Sequence, residues 1–150
     1  MDRVAILRKA CFKKGEDILG DILAGRKTIE SRWYVNKVAP WDNIHAGDTV
    51  YFKESSCPVT AKTRVGKVLQ FDGLTAVSIN EIVTSYGKLI DPNISEDEFT
   101  SWCNSHPEKR YCILVFLEHV EKIGPFEISK QGFGISSAWL VVGDINRVRI

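Results

Sequence analysis

Gly25-Arg26-Lys27-Thr28-Ile29-Glu30-Ser31-Arg32 is the stretch of this 150-residue chain best equipped for chemistry. It places three basic residues, a carboxylate and a hydroxyl-bearing threonine just ahead of the aromatic pair Trp33-Tyr34. If Thr28 to Arg32 is extended, its side chains alternate between two faces. Thr28, Glu30 and Arg32 then share one face, while Ile29, Ser31 and Trp33 share the other. Lys27, at the corner before the strand, can reach Glu30 with its long stem, and Glu30 can fix either Lys27 or Arg32. A clamped arginine offers a planar fork to a phosphate or a base edge. A partly desolvated lysine loses its proton more readily and can serve as base or nucleophile. An exposed ion-pair ladder of little energetic worth is the plain alternative.

The flanking pattern says what must hold these residues. Val4 and Ile6, with Arg8 in step, alternate as a first strand. Ile18, Leu19, Ile22 and Leu23 recur at helical spacing, predicting a helix from about Gly15 to Ala24. Gly25 follows as its stop, because glycine accepts the left-handed conformation. Thr28 to Tyr34 is β-branched and aromatic and reads as a strand. Residues 35–47 read as a long loop. Thr49 to Phe52 and Lys62 to Phe71 read as strands, divided at Ser55-Ser56-Cys57-Pro58. Ser78 with Glu81 fits a capping box with Val77 and Ile82 as its staple, and Ser95 with Glu98 fits a second with Ile94 and Phe99. Tyr111 to Val120 is a near-continuous apolar run, hence a doubly covered central strand. Ile123 to Phe126 reads as a turn, and Ala138 to Val142 and Ile145 to Ile150 as closing strands. The sum is an α+β chain, a small β-barrel with attached helices, forming a single domain over 1–150. A parallel βαβ sheet fits less well, because helices and strands do not alternate regularly.

Charge is unevenly placed. The chain carries +1 overall, yet residues 1–70 hold 13 Lys/Arg against 8 Asp/Glu and residues 71–150 hold 7 against 11. The basic half contains the opening segment, so an anionic partner is expected there, with a solvated basic surface as the alternative. Arg26, Lys27, Arg32, Lys37, Lys53, Lys62, Arg64 and Lys67 are interleaved with Trp33, Tyr34, Trp41 and Tyr51. Basic residues beside stacking platforms suit single-stranded RNA. Trp33 serves equally as core, and Trp102, three residues after Phe99, reads as core. Ser136 and Ser137 are available hydroxyls or a polar turn. His45, His106 and His119 have no evident sequence partner.

Several classes fall away. No run of about 18 apolar residues predicts a membrane span, and the charged N-terminus lacks the apolar region of a secretory signal. Cys11, Cys57, Cys103 and Cys112 show neither CxxC nor framework spacing, which reads as reduced thiols in a cytoplasmic protein. Cys103-x2-His106-x5-Cys112 does not match a zinc site, and no nucleotide-cofactor motif appears. Neither metal nor cofactor is expected.

GRKTIESR resembles the G-x-K-x-x-E-x-R motif of the ASCH domain, in the PUA-like superfamily. The order around it is similar: a helix ending Ile-Leu-Ala-Gly, the motif, the His45-Ala46-Gly47-Asp48 turn into strand 49–52, then a basic strand around Val65 to Val68. The likeness covers residues 1–72 closely and the rest loosely. It implies a PUA-like pseudo-barrel with a cleft beside the motif, and an RNA-linked function. Some small family members remove the acetyl group of N4-acetylcytidine, and at least one is linked to RNA cleavage. In the amidohydrolase type the motif lysine works with a threonine, at the position held here by Glu30, and with a later glutamate, for which Glu81 is the candidate beside its capping reading. The expected binding residues are Arg26, Lys27, Glu30, Arg32, Tyr34, Lys53, Arg64, Lys67, Ser136 and Ser137, with Lys27 and Glu30 catalytic if the protein is an enzyme. The expected partner is single-stranded RNA, or a nucleotide or nucleoside. A hydrolase on RNA or a modified nucleoside is the first alternative, and a protein-interaction domain the second.

Overall fold

A computed structural model describes residues 1–9 and 16–150. Six strands form one mixed sheet: β1 (Asp2–Leu7), β2 (Ile29–Tyr34), β3 (Thr49–Glu54), β4 (Val59–Phe71), β5 (Tyr111–Phe126) and β6 (Trp139–Gly143). Their order is β2-β5-β4-β3-β1-β6. Only β1 and β3 run parallel; the other neighbours are antiparallel. Among the described residues three α-helices accompany the sheet: α1 (Ile18–Leu23), α2 (Ala76–Ile90) and α3 (Glu96–Asn104). The sheet curls into a half-barrel, the pseudo-barrel architecture expected of this α+β chain.

Strand β5 explains the layering. Cys112 and Leu114 enter a cluster with Ile79, Ile82, Val83 and Phe99 from α2 and α3. Ile113 and Val115 enter a second cluster on the opposite face, with Leu19 and Ile22 of α1, Phe52, Val65 and Trp139. The central strand is therefore covered on both sides, as its apolar run requires. Register carries the same division onto edge strand β2. Ile29 and Trp33 oppose Phe116 and Cys112, under α2 and α3, while Glu30, Arg32 and Tyr34 oppose Val115, Ile113 and Tyr111. Directly opposed residues share a face, so the polar half of the motif points into the concave side.

Helix α1 begins after Asp17, whose carboxylate accepts from the Gly20 N–H. It stops at Gly25, whose φ of 77° strains any residue with a Cβ. The expected helix start at Gly15, like Cys11, falls outside the described residues.

Four expectations are corrected. The α2 capping box uses Thr75 and Ser78 rather than Ser78 and Glu81: Thr75 Oγ1 accepts from Ser78 N, and Ser78 Oγ accepts from Thr75 N at 2.8 Å. Burial selects this register, since Leu74 and Ile79 then take the staple positions inside the cluster, while Val77 faces out at 69% exposure. Ile123 to Phe126 is not a turn but the end of β5. By then β2 has ended, so β5 has only β4 beside it, and Pro125 needs no donor on the free side. Ile145 to Ile150 is not a strand: Asp144 caps a 3-10 turn at Ile145–Arg147, followed by a single bridge between Ile128 and Arg149. Trp102 is not core, being 39% exposed. The Ser95–Glu98 box stands as expected. Among the described residues no helix is long and apolar enough to cross a membrane.

Candidate functional site

The sheet edges β2 and β6 are not hydrogen-bonded to each other, and the cleft lies where the barrel fails to close. It encloses about 1110 Å³. Its walls come from β2, the end of β1, the α2–α3 connection, one side of α3 and the segment before β6.

Lys27 sits deep in this cleft, 7% exposed. Its Nζ donates to Ile90 O at 2.7 Å and to Ile29 O at 2.8 Å, and lies 4.0 Å from Glu30 Oε2. Ile90 is the last residue of α2, so its carbonyl has no helical donor. Lys27 supplies one, and its positive charge suits a helix C-terminus. Burial pushes the Lys27 ammonium below its ordinary pKa of 10.5, against the pull of Glu30, Asp91 and Asp21 and with the push of Arg32.

Arg32 ties the two edges of the half-barrel. Its Nη1 donates to Ala138 O at 3.3 Å and its Nη2 to Ile6 O at 3.5 Å. The guanidinium lies 5.3 Å from the centre of the Trp139 ring. Its Nε is 3.7 Å from Glu30 Oε1, beyond a good hydrogen bond. Glu30 is thus flanked by two cations yet bonded to neither: Glu30 Oε2 and Arg32 Nε are both buried and unpartnered. Tyr34 completes this face, its hydroxyl pKa raised chiefly by burial and opposed by Arg32.

Of the residues expected from sequence, Lys27, Glu30, Arg32, Tyr34, Ser136 and Ser137 all line the cleft. Ser137 Oγ donates to Trp139 O at 3.2 Å, while Ser136 is exposed. Arg26, Lys53, Arg64 and Lys67 are not brought there. Arg26 turns to Asp21 at 2.8 Å, Lys53 is buried elsewhere, Lys67 lies over Phe116, and Arg64 is exposed on β4. Glu81 is exposed and outside the cleft. Of the expected platforms, Trp33 is core with an edge on the cleft, while Trp41 packs on Tyr111 and Tyr51 on Phe126. No histidine lines it; His106 meets Trp102 O at 2.8 Å and His45 lies 3.8 Å from Asp48.

Sequence reading missed Asp21, Asn93, Asp91, Trp102 and Lys109. Asp21 is 6% exposed, paired with Arg26 and accepting from Asn93 Nδ2 at 2.7 Å. The contact spans 72 positions, so no local pattern announces it. With these residues the described part of the walls carries four basic and five acidic side chains, so among the described residues the cleft is not the basic channel that the charge of residues 1–70 suggested.

The sequence matches no protein-family model and no curated protein. Solved structures do match. ASCH from Zymomonas mobilis superposes with a TM-score of 0.65 at 14% identity, covering 97% of this chain and 91% of that one. A tyrosine-to-phenylalanine mutant of the same protein gives the same score and identity, over 94% of its length. A protein from Enterococcus faecalis V583 gives 0.55 at 15% identity, covering 79% of this chain and 76% of that one. At such identities the likeness concerns the backbone: the chain has an ASCH-like fold.

Proposed function

We propose that the cleft binds a nucleoside unit, free or within single-stranded RNA, and reads the polar edge of its base with Glu30 and Arg32. The observation that carries this reading is the Glu30 carboxylate, 7% exposed with an unpartnered Oε2 on the cleft wall. A buried acceptor without a donor is costly, and the amino group of a base supplies that donor. Arg32 Nε, equally unpartnered, offers a donor beside it. An acceptor next to a donor complements the edge of adenine or cytosine, which presents an amino group beside a ring nitrogen. The near balance of charge in the walls favours a base and sugar over a row of phosphates. The ASCH-like fold supports the reading through the RNA link that the family resemblance implies. Arg26, Lys53, Arg64 and Lys67 lie elsewhere, so their part in binding rests on charge alone.

Trp33, Trp102 and Trp139 line the cleft and report occupancy through their fluorescence. Titration with cytidine, adenosine and a short single-stranded RNA should give saturable quenching that Glu30→Gln weakens at least about tenfold, the worth of one charge-assisted hydrogen bond. No saturable binding by the wild type, or an unaltered Glu30→Gln, overturns the reading.

Lys27 favours hydrolysis as the second reading. Burial eases the loss of a proton from Lys27, and the amine so formed has two N–H groups, enough for Ile29 O and Ile90 O, and a lone pair to accept a proton. Incubation with N4-acetylcytidine and with RNA tests it: a product formed by wild type and not by Lys27→Ala supports hydrolysis, and no product with either substrate removes it.

A further inference from the structure

We propose that the cleft has a second base site on Trp102 of α3, with Lys109 placed for the phosphate between two nucleotides, so that its substrate is an oligonucleotide rather than a free nucleoside. This rests on the nucleoside reading of the Glu30 site. Trp102 is 39% exposed, unusual for tryptophan, which is mostly buried. It lines the same cleft as Lys27 and Glu30. Among the described residues no ring lies flat on it: Trp33 and Phe99 meet it edge-on, at 78° and 82°, and His106 is tilted by 38°. The Lys109 ammonium lies over the ring, so a base stacks there by displacing that flexible side chain. Base–aromatic stacking needs only a π face and is indifferent to sequence.

Lys109 lies over the Trp102 ring, its Nζ 5.1 Å from the ring centre, and leaves it for the adjoining phosphate when a base stacks. It also lines the cleft and forms no salt bridge among the described residues. Its half-buried stem fixes the ammonium near the ring. A stacking platform with an adjacent free cation is the minimal unit of single-strand recognition, base on the ring and phosphate on the charge. Size agrees, since about 1110 Å³ exceeds the roughly 300–1,000 Å³ that holds one small ligand. Trp33 joins the two sites, its ring centre 6.1 Å from that of Trp102 and its Nε1 donating to Ser31 Oγ at 3.0 Å.

The test compares cytidine, adenosine, the dinucleotides CpA and ApC and a short single-stranded RNA on wild type, Trp102→Ala, Trp102→Phe and Lys109→Ala. The wild type should bind the dinucleotides at least about tenfold more tightly than the nucleosides, the expected worth of one stacked base. Trp102→Ala should weaken dinucleotide binding at least about tenfold more than nucleoside binding, Trp102→Phe should retain most of the gain, and Lys109→Ala should flatten the salt dependence of dinucleotide binding. If nucleosides bind and the dinucleotides bind no tighter, or if Trp102→Ala weakens both classes equally, the second site is refuted and the Glu30 site stands. If wild type binds neither class, the underlying reading has failed and the second site falls with it.

Discussion

Glu30→Gln tests the arrangement at the centre of the cleft without any ligand. The substitution keeps the side-chain shape and removes one negative charge from between Lys27 and Arg32. The carboxylate lies 4.0 Å from Lys27 Nζ and 3.7 Å from Arg32 Nε. At an effective dielectric of about 20, each contact carries about 4 kcal/mol of Coulomb attraction, before the cost of removing three charges from water. Neither contact is a hydrogen bond, so the loss should sit at the low end of the range for breaking a buried pair, about 3 kcal/mol. Urea unfolding followed by tryptophan fluorescence should then show a midpoint lower by about 1–2 M. A second readout separates charge from shape. Burial already lowers the Lys27 pKa, and Glu30 is the strongest of the charges opposing that shift. Between the lowered value and 10.5 the unfolded chain holds a proton that the folded chain has shed, so stability rises with pH across that window. Below the window both states are protonated and Lys27 adds no slope. Without Glu30 the folded pKa falls further, so the rise should begin at lower pH. Groups common to both proteins cancel in the difference between the profiles. An unchanged urea midpoint together with superimposed pH profiles would refute the electrostatic account.

Three further outcomes follow from other contacts. Arg32→Met removes the donors to Ala138 O and Ile6 O; amide exchange at Ile6, which itself donates to Ala138 O, should accelerate while the β4–β5 ladder stays protected, and unaltered exchange at Ile6 would remove Arg32 as the edge tie. Thr75→Ala should cost about 1 kcal/mol by losing the α2 cap, whereas Glu81→Ala, on an exposed site, should change unfolding free energy by less than about 0.5 kcal/mol; equal losses would restore the other capping register. Burial raises Cys103 to about 11 and Cys112 well above 9.0, so iodoacetamide at pH 8 followed by peptide mapping should label half-buried Cys57 and spare both until the chain unfolds.

What the sequence displays is what depends on neighbours a few positions apart. The α1 stop at Gly25, the two faces of β2, the double cover of β5 and the Ser95–Glu98 box all follow from local spacing and all appear in the fold. The α2 cap lies three positions before the expected one because two hydroxyls, Thr75 and Ser78, stand at box spacing, and only the packing of Leu74 against the exposure of Val77 chooses between them. The site was half legible for the same reason. Lys27, Glu30 and Arg32 are close in sequence, whereas Asn93 reaches Asp21 across 72 positions and Ala138 meets Arg32 across 106. Charge counting erred more widely: Lys53, Arg64 and Lys67 belong to strands whose register points them away from the cleft, a property of the curl rather than of composition.

The motif can be divided by asking which residues the fold itself requires. Gly25 is required by a φ of 77°, and Ile29 and Trp33 by the cluster beneath α2 and α3. Lys27 is required by the orphan carbonyl ending α2 and by the free carbonyl of Ile29. Arg32 is required by carbonyls of the opposite edge. Glu30 is held by charge rather than by hydrogen bonds, because it lies between Lys27 and Arg32 while its Oε2 satisfies no donor. A carboxylate held in place by two cations that are themselves anchored elsewhere is what the proposed base site requires. The cations lower the cost of keeping it ionised, and their anchoring prevents them from collapsing onto it.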